Sequence, residues 1–365
     1  MSGKNRAYFT GSYFTSVDMR YFVLSLFILI FSVSAVHGQI HISGKSDSLI
    51  EKGLDYTISC RFQSALHTFQ QVIENDRNHP AGYCFKAVTY GAMMMDFETF
   101  GFRRRLFSYI DTTMTLCERM IEYQEDPGRT YFYLGCASIL RALGNSKSRD
   151  LLPAVYNARK GLVYFNQAIE TDSTLFDAYL VLGVFDYLLG TYFTYIDWLP
   201  GIEDDRERGR HRLTLAAEKG KYMEWAAVLG LGWIAYDREN FHEARRFFEK
   251  GANRYPESRF FLWALADTYY RLEDHEMAIA VYQKIYTAIQ DIPVKNEYNR
   301  FMIHFRIARS EMALEHYSEA LTHCDAVFSM RISTDTRDKI HDTWDQMKRF
   351  RRDCRRGIKK SGTKQ

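Results

Sequence analysis

A phosphate-binding motif is the first candidate for chemistry, because the sequence reads Gly-Lys-Ser at positions 44–46. A phosphate loop of the type G-x-x-x-x-G-K-[S/T] needs a second glycine five residues before Gly44, since the backbone amides between the two glycines cradle the phosphates. Gln39 occupies that position, and Gly38 lies one residue too far away. The motif is incomplete, so we expect no nucleotide site here.

Candidate metal ligands are scattered along the chain. His316 and His323 lie seven residues apart without an H-E-x-x-H motif, and an acidic run with one histidine spans residues 273–276. That run falls in a predicted turn between two helices, where solvated polar side chains are ordinary. Metal sites require clustered histidine, cysteine or carboxylate ligands. We therefore expect neither a metal ion nor any other cofactor.

Catalytic constellations are equally weak. The chain contains no G-x-S-x-G motif, and no combination of serine, histidine and aspartate stands out. Asp204 and Asp205 form the best carboxylate pair, but they precede Arg206 and Arg208 at a predicted helix start. Acidic side chains are favoured there by the helix dipole. The sequence predicts a protein that is not an enzyme.

Composition places the chain among folded, helix-rich proteins. It has 365 residues, 46% of them hydrophobic, and only 6 prolines. These values exclude a disordered or collagen-like chain and disfavour a β-sandwich. Lysine and arginine number 48 against 45 aspartate and glutamate residues, a net charge of +3. This balance by itself indicates no nucleic-acid partner.

The N-terminal segment has the pattern of a secretory signal peptide. Residues 21–36 form an uncharged apolar run after Arg20, and the small residues Val36 and Gly38 precede an expected cleavage before Gln39. The run is shorter than the roughly 20 residues of a membrane-spanning helix. We expect residues 1–38 to be a signal peptide, with an uncleaved N-terminal anchor as the alternative. Either implies export to the periplasm or cell envelope, with membrane association left open, and makes nucleic acid an improbable partner.

Six cysteines accompany this prediction of export, and no two of them form a C-x-x-C motif. Cys60 and Cys84 are candidates for a disulfide between adjacent helices. The alternative is that all six are buried free thiols in helices.

A repeat of 34 residues organises the middle of the chain. With Trp225 as position 1, Gly232 falls at position 8, Ala244 at position 20 and Phe248 at position 24. The next 34 residues, from Arg259, have Ala266, Ala278 and Tyr282 at these positions. Small residues at positions 8 and 20 let two helices approach closely, and the large residue at position 24 fills the gap.

These residues resemble the tetratricopeptide repeat. The same frame recurs from Ser46 and from Phe301. The resemblance implies an all-α, right-handed superhelical solenoid of helix-turn-helix repeats over residues 39–330, with about seven helical pairs. We expect residues 143–150 to form a polar loop-like insert, and residues 189–205 a second insert.

The segment around the second insert is similar to one in an exported bacterial branch of the family, through Leu199-Pro200, Asp205-Arg206 and Gly209. Aromatic residues over 185–198 suggest either a surface that contacts a membrane or partner, or an elongated first helix. Residues 331–365 are expected to form a capping helix over 334–356 and a basic tail. The tail has eight basic residues and one acidic residue from Lys348 to Lys360.

The resemblance also implies a binding surface, because positions 2, 5, 9, 12 and 13 of each repeat line a concave groove. The predicted groove residues are Tyr187, Trp233, Tyr236, Asp237, Trp263, Asp267, Tyr270, Arg271 and Arg309. Tryptophan, tyrosine and arginine dominate interface hot spots. Ordinary packing between repeats is the competing interpretation.

We therefore predict a non-catalytic scaffold of the cell envelope, which binds an extended or helical segment of a partner protein in its groove. The alternative is a membrane-tethered assembly factor, held by an uncleaved N-terminal helix or by the basic tail. The run from Lys348 to Lys360 could contact an anionic surface. The sequence does not indicate an oligomeric state.

Overall fold

The fold is described from a computed structural model, which defines residues 44–192, 205–290, 292, 294 and 296–362. Sixteen helices and no strands occupy these residues. The first eight are α1 (Gly44–Ile58), α2 (Phe62–Asn75), α3 (Ala81–Asp96), α4 (Arg103–Glu122), α5 (Pro127–Lys147), α6 (Leu151–Thr171), α7 (Ala178–Tyr192) and α8 (Arg206–Lys219). The others are α9 (Glu224–Asp237), α10 (Phe241–Arg254), α11 (Arg259–Arg271), α12 (His275–Gln290), α13 (Glu297–Ala313), α14 (Tyr317–Ser329), α15 (Thr334–Lys339) and α16 (His341–Gly362).

Helices α1 to α14 form seven consecutive pairs. Each helix packs against the next one along the chain, and the first helix of a pair also contacts the first helix of its neighbour, as α9 contacts α7 and α11. Helix α16 then covers α14 and α13. This stacking of neighbours is the signature of a solenoid, in which each pair buries its apolar face against the next. The expected all-α solenoid is confirmed.

The small and large positions of the repeat meet inside each pair. A Cβ atom added to Gly232 would lie 2.4 Å from the ring of Phe248, which is fully buried. The equivalent Gly53 has the same relationship with Phe69, at 2.5 Å. Because only a glycine leaves room for the phenyl ring, this close approach fixes how the two helices of a pair cross.

The turns inside the pairs share a left-handed residue, which reverses the chain after the first helix. Glu239 and Glu273 hold this position 34 residues apart, with φ of 57° and 62°. The corresponding residues of other pairs are Cys60, Glu98, Arg149 and Glu315. A left-handed residue at this point satisfies the last carbonyl groups of the helix.

One expectation about an irregular segment is wrong. Residues 143–150 are not a loop-like insert, because α5 continues to Lys147 with Leu143 buried, and only three residues separate it from α6. The polar residues there occupy the final turn of a helix of 21 residues, against 14 in α9. The expected capping helix over 334–356 is present as two helices, because Ile340 separates α15 from α16. Helix α16 contains the whole basic run from Lys348 to Lys360, and it packs against α14 and α13.

Other expectations lie partly or wholly outside the described residues. These include the signal peptide over 1–38 and the part of the aromatic segment after α7. Within the described ranges, no helix combines the length and apolar character that crossing a membrane requires. All six cysteines are free thiols, so Cys60 and Cys84 do not form a disulfide in this structure.

The first two pairs also contact the later repeats across the superhelix. The hydroxyl group of Tyr255 donates a hydrogen bond of 2.5 Å to Asp55 on α1. Lys221 forms ion pairs with Asp47 and with Glu51, the latter at 3.1 Å. These contacts join the start of the solenoid to the segments that precede α9 and α11.

Candidate protein-binding surface

The nine predicted groove residues all lie on first helices of consecutive pairs. Tyr187 belongs to α7; Trp233, Tyr236 and Asp237 to α9; Trp263, Asp267, Tyr270 and Arg271 to α11; and Arg309 to α13. Helix α9 packs against α7 and α11, and side chains of α13 contact Asp267 and Tyr270 of α11, so the structure brings the residues into one row. Tyr187 is buried, and the other eight side chains are half-buried.

Asp267 connects three helices through its carboxylate. It forms an ion pair of 3.0 Å with Arg306 on α13 and accepts a hydrogen bond from the hydroxyl group of Tyr282 on α12. Burial and the nearby Asp267 raise the pKa of Tyr282 well above its ordinary value, so this hydroxyl remains a donor. The expected carboxylate in the groove is thus already paired within the protein.

Two arginines of the row lie against aromatic rings. The guanidinium carbon of Arg309 is 3.6 Å from the ring centre of Tyr270, and that of Arg271 is 4.4 Å from the ring centre of Phe241. Arg271 also forms an ion pair of 3.6 Å with the exposed Glu239. Stacking of this kind holds each guanidinium group in place while its edge carries N–H donors.

Tyr187 has a structural role at the start of the row. Only 1% of its surface is exposed, and its hydroxyl group donates a hydrogen bond of 2.7 Å to Asp237 on α9. Burial, followed by this hydrogen bond, raises the pKa of Tyr187. The side chain therefore links α7 to α9 beneath the surface.

The two tryptophans each pack one side against their own repeat. The rings of Trp233 and Phe248 meet edge to face with centres 5.4 Å apart, and Trp263 lies 5.8 Å from Tyr282. Tyr236 makes a further edge contact of 5.4 Å with Trp233. Because the tryptophans are only half-buried, packing within each pair covers part of each ring and leaves the remainder accessible.

This geometry can be compared with known proteins. Residues 229–291, which contain α10, α11 and α12 and part of α9, match the model of the tetratricopeptide repeat family. This segment carries the tetratricopeptide repeat. Such repeats form a protein-interaction fold, whose stacked helices create extended binding surfaces. No curated protein matches the sequence.

Several solved structures of tetratricopeptide repeat proteins are similar to this chain. One from Parabacteroides merdae shares 15% identity, covers 83% of this chain and 100% of its own, and has a TM-score of 0.36. The TPR2AB domain of yeast Sti1, solved in a complex with pHSP90, shares 13% identity over 85% and 98% of the two chains, with a TM-score of 0.29. The TPR domain of P58(IPK) shares 11% identity over 87% and 99%, also with a TM-score of 0.29.

The protein also has a small cavity, which lies between the first two helical pairs and residues 221–260. Its volume is about 200 Å³, and its lining includes Glu51 of α1, Val88 of α3, Trp225 of α9 and Tyr255. Typical small-molecule pockets are about 300–1,000 Å³. The sequence could not indicate this cavity, because its walls come from pairs far apart along the chain.

Among the described residues, no group of three or more histidine, cysteine or acidic side chains has the arrangement of a metal site. The structure does, however, bring His304 of α13 and His323 of α14 together, with their Nδ1 atoms 2.9 Å apart. His316, which lies seven residues before His323, instead contacts Glu311 at 2.9 Å. The pKa of His304 is lowered to about 4, mainly by burial and further by the charges of His323 and Arg300.

Proposed function

We propose that this tetratricopeptide repeat protein is a non-catalytic scaffold, which binds an extended or helical segment of a partner protein along the row on α9, α11 and α13. One observation carries the proposal. Three consecutive first helices present half-buried tryptophan, tyrosine and arginine side chains in one row. These three residue types contribute most to binding at protein interfaces.

The contacts within the row define the chemistry of such a partner. The carboxylate of Asp267 is engaged by Arg306 and Tyr282. Arg309 and Arg271 lie over aromatic rings, and Arg271 also pairs with the exposed Glu239. The best fit is a segment that places apolar side chains against Trp233 and Trp263 and a carboxylate near the arginines. A row that is already ordered loses little conformational entropy on binding.

We place this scaffold in the cell envelope, as the apolar run over 21–36 predicts. The proposal is tested by installing a photo-crosslinking phenylalanine analogue in place of Tyr236 or Tyr270, and in place of Arg246 or Gln283 as controls. The controls are exposed positions on the second helices α10 and α12. We expect an envelope protein to be crosslinked at the row positions alone. Equal crosslinking at the control positions, or no crosslinking at the row positions, would contradict binding of a partner along the row.

A second candidate function is membrane tethering, and helix α16 provides the observation that favours it. Met347 and Cys354 are buried on one side of this helix. The other side exposes basic residues, namely Arg349, Arg352, Arg355, Arg356, Lys359 and Lys360. A helical row of positive charges is complementary to an anionic surface. High-salt washing of membrane pellets tests it: elution by salt indicates the basic helix, and retention indicates the apolar N-terminal run.

A further inference from the structure

The outward side of α6 exposes large apolar side chains. Leu152 is 86% exposed, Val155 67%, Tyr156 66% and Val163 50%. Positions 152, 156 and 163 follow the spacing of one helix face. We call Leu152, Val155, Tyr156 and Val163 the α6 patch. These residues project from the second helix of a pair, away from the buried Phe165 and Ala168 that face α5.

Among the described residues, the second helices α4 and α12 each expose a single large apolar side chain, Ile121 and Met277, rather than a cluster. The exposed positions of α10 include Arg246 and Lys250, and those of α12 include Gln283 and Lys284. Single exposed apolar residues are common in folded proteins, but several on one helix face over three turns indicate a contact surface. The length of α6 contributes, since its first turns extend beyond those of the shorter helices.

Positive charges surround the α6 patch. Arg159 lies on the same face between Tyr156 and Val163, and Arg149 lies in the turn just before α6. Arg103, at the start of α4, forms an ion pair of 3.6 Å with Asp150. This contact places the neighbouring exposed Arg104 near the N-terminal end of α6. Asp150 is engaged by that ion pair, so the local excess of charge is positive.

We propose that the α6 patch docks this protein on the surface of an anionic lipid bilayer. Leucine, valine and tyrosine side chains enter the boundary between headgroups and acyl chains, and the arginines contact the anionic headgroups. A second copy of this chain is a poorer occupant, because a two-fold symmetric contact through this face would bring Arg149 and Arg159 of both copies into one interface. This site is separate from both the groove row and the basic face of α16.

A local probe tests the proposal in the full chain. Val155→Cys is labelled with a polarity-sensitive fluorophore, and Met277→Cys, at an exposed apolar position on α12, is the matched control. Labelling of the native cysteines is measured on the wild type as the background, and five of these six cysteines are buried. The vesicles contain either phosphatidylcholine alone or phosphatidylcholine with phosphatidylglycerol. We expect a blue shift at position 155 only, and only with phosphatidylglycerol.

The arginines are tested in the same assay. Labelled Val155→Cys carrying Arg149→Gln and Arg159→Gln should bind anionic vesicles about thirtyfold more weakly, since each basic residue near the surface contributes about 1 kcal/mol. Circular dichroism of the labelled variants must match that of the wild type. An unchanged affinity would overturn the electrostatic part of the proposal.

Several outcomes would overturn the whole proposal. No shift at position 155 shows that lipid does not cover the patch. Equal shifts at positions 155 and 277 show that the apolar N-terminal run draws the protein to vesicles without specific docking. A shift without vesicles that grows with protein concentration shows that a second copy covers the patch. None of these outcomes depends on whether the groove row binds a partner.

Discussion

The carboxylate of Asp96 and the guanidinium group of Arg259 form a buried ion pair between residues 163 positions apart in sequence. The Nε atom of Arg259 donates hydrogen bonds of 2.8 and 3.0 Å to the two carboxylate oxygens. The side chains are only 2% and 7% exposed. Phe62 and Phe97 lie beside the guanidinium group, with ring centres 5.9 and 6.0 Å away. This pair fastens the end of α3 to the start of α11.

Removing one member of this pair should destabilise the protein strongly. We expect Arg259→Met to lower the free energy of unfolding by about 3–5 kcal/mol, because Asp96 is left buried without its counter-charge. Urea denaturation followed by circular dichroism measures the change. The control is Arg245→Met, which breaks an exposed pair with Glu249 at 3.7 Å and should cost less than about 1 kcal/mol. Similar losses of unfolding free energy in both variants would show that the contact of Asp96 with Arg259 does not stabilise the link between α3 and α11.

The contact between α7 and α8 depends on two glycines. A Cβ atom at Gly209 would lie 2.5 Å from the carbonyl oxygen of Gly183 and 2.7 Å from the backbone nitrogen of Tyr187. Backbone atoms cannot rotate away, so Gly209→Ala should lower the free energy of unfolding by about 1–3 kcal/mol or more. Gly101→Ala is the control, since its nearest neighbour is the Thr99 hydroxyl at 3.5 Å. Thermal unfolding of both variants gives the comparison, and an unaffected Gly209→Ala protein would contradict this packing.

The paired histidines of α13 and α14 should make stability depend on pH. The pKa of His304 is about 4 in the folded protein and about 6.5 in an unfolded chain. The unfolded chain therefore binds more protons between these values, so the free energy of unfolding falls as the pH decreases from about 6.5 towards 4. The neighbouring groups are His323, Arg300 and the ring of Tyr286, with Glu311 acting on His323.

A variant separates this effect from other titrating groups. Between pH 7 and pH 4.5, the free energy of unfolding should fall less in His304→Gln than in the wild type. Urea denaturation at both pH values measures this difference. His79, whose pKa burial also lowers to about 4, titrates in the same range and accounts for a residual loss in the variant. Identical pH dependence in the two proteins would show that His304 is protonated as readily when folded as when unfolded.

A glycine in the turn between α11 and α12 should stabilise the protein. Glu273 has a φ of 62°, a left-handed conformation that costs a residue with a Cβ atom about 1–2 kcal/mol. Glu273→Gly removes this strain and should raise the melting temperature measured by calorimetry. Glu276→Gly lies inside the first turn of α12 and should instead lower the melting temperature, because a helical glycine lowers the free energy of unfolding by about 1 kcal/mol. A lower melting temperature for Glu273→Gly would show that the glutamate side chain outweighs the backbone strain.

The sequence alone was sufficient to predict the helical pairs, because the interactions that form them are local. Gly232 and Phe248 are 16 residues apart and meet within one pair, so their types and spacing specify the contact. The same reasoning placed Trp233, Trp263 and Arg309 on first helices. Prediction failed over residues 143–150, where a polar stretch was interpreted as a loop although it completes the last turn of α5.

The tertiary structure decided which of these side chains are engaged and where the distant repeats touch. The pairing of Asp267 with Arg306, the burial of Tyr187, and the ion pair between Asp96 and Arg259 all join different pairs of the solenoid. Small rotations between successive pairs accumulate along a solenoid and set its curvature. No single repeat encodes that sum, so the contacts across the superhelix emerge only when all the pairs are stacked.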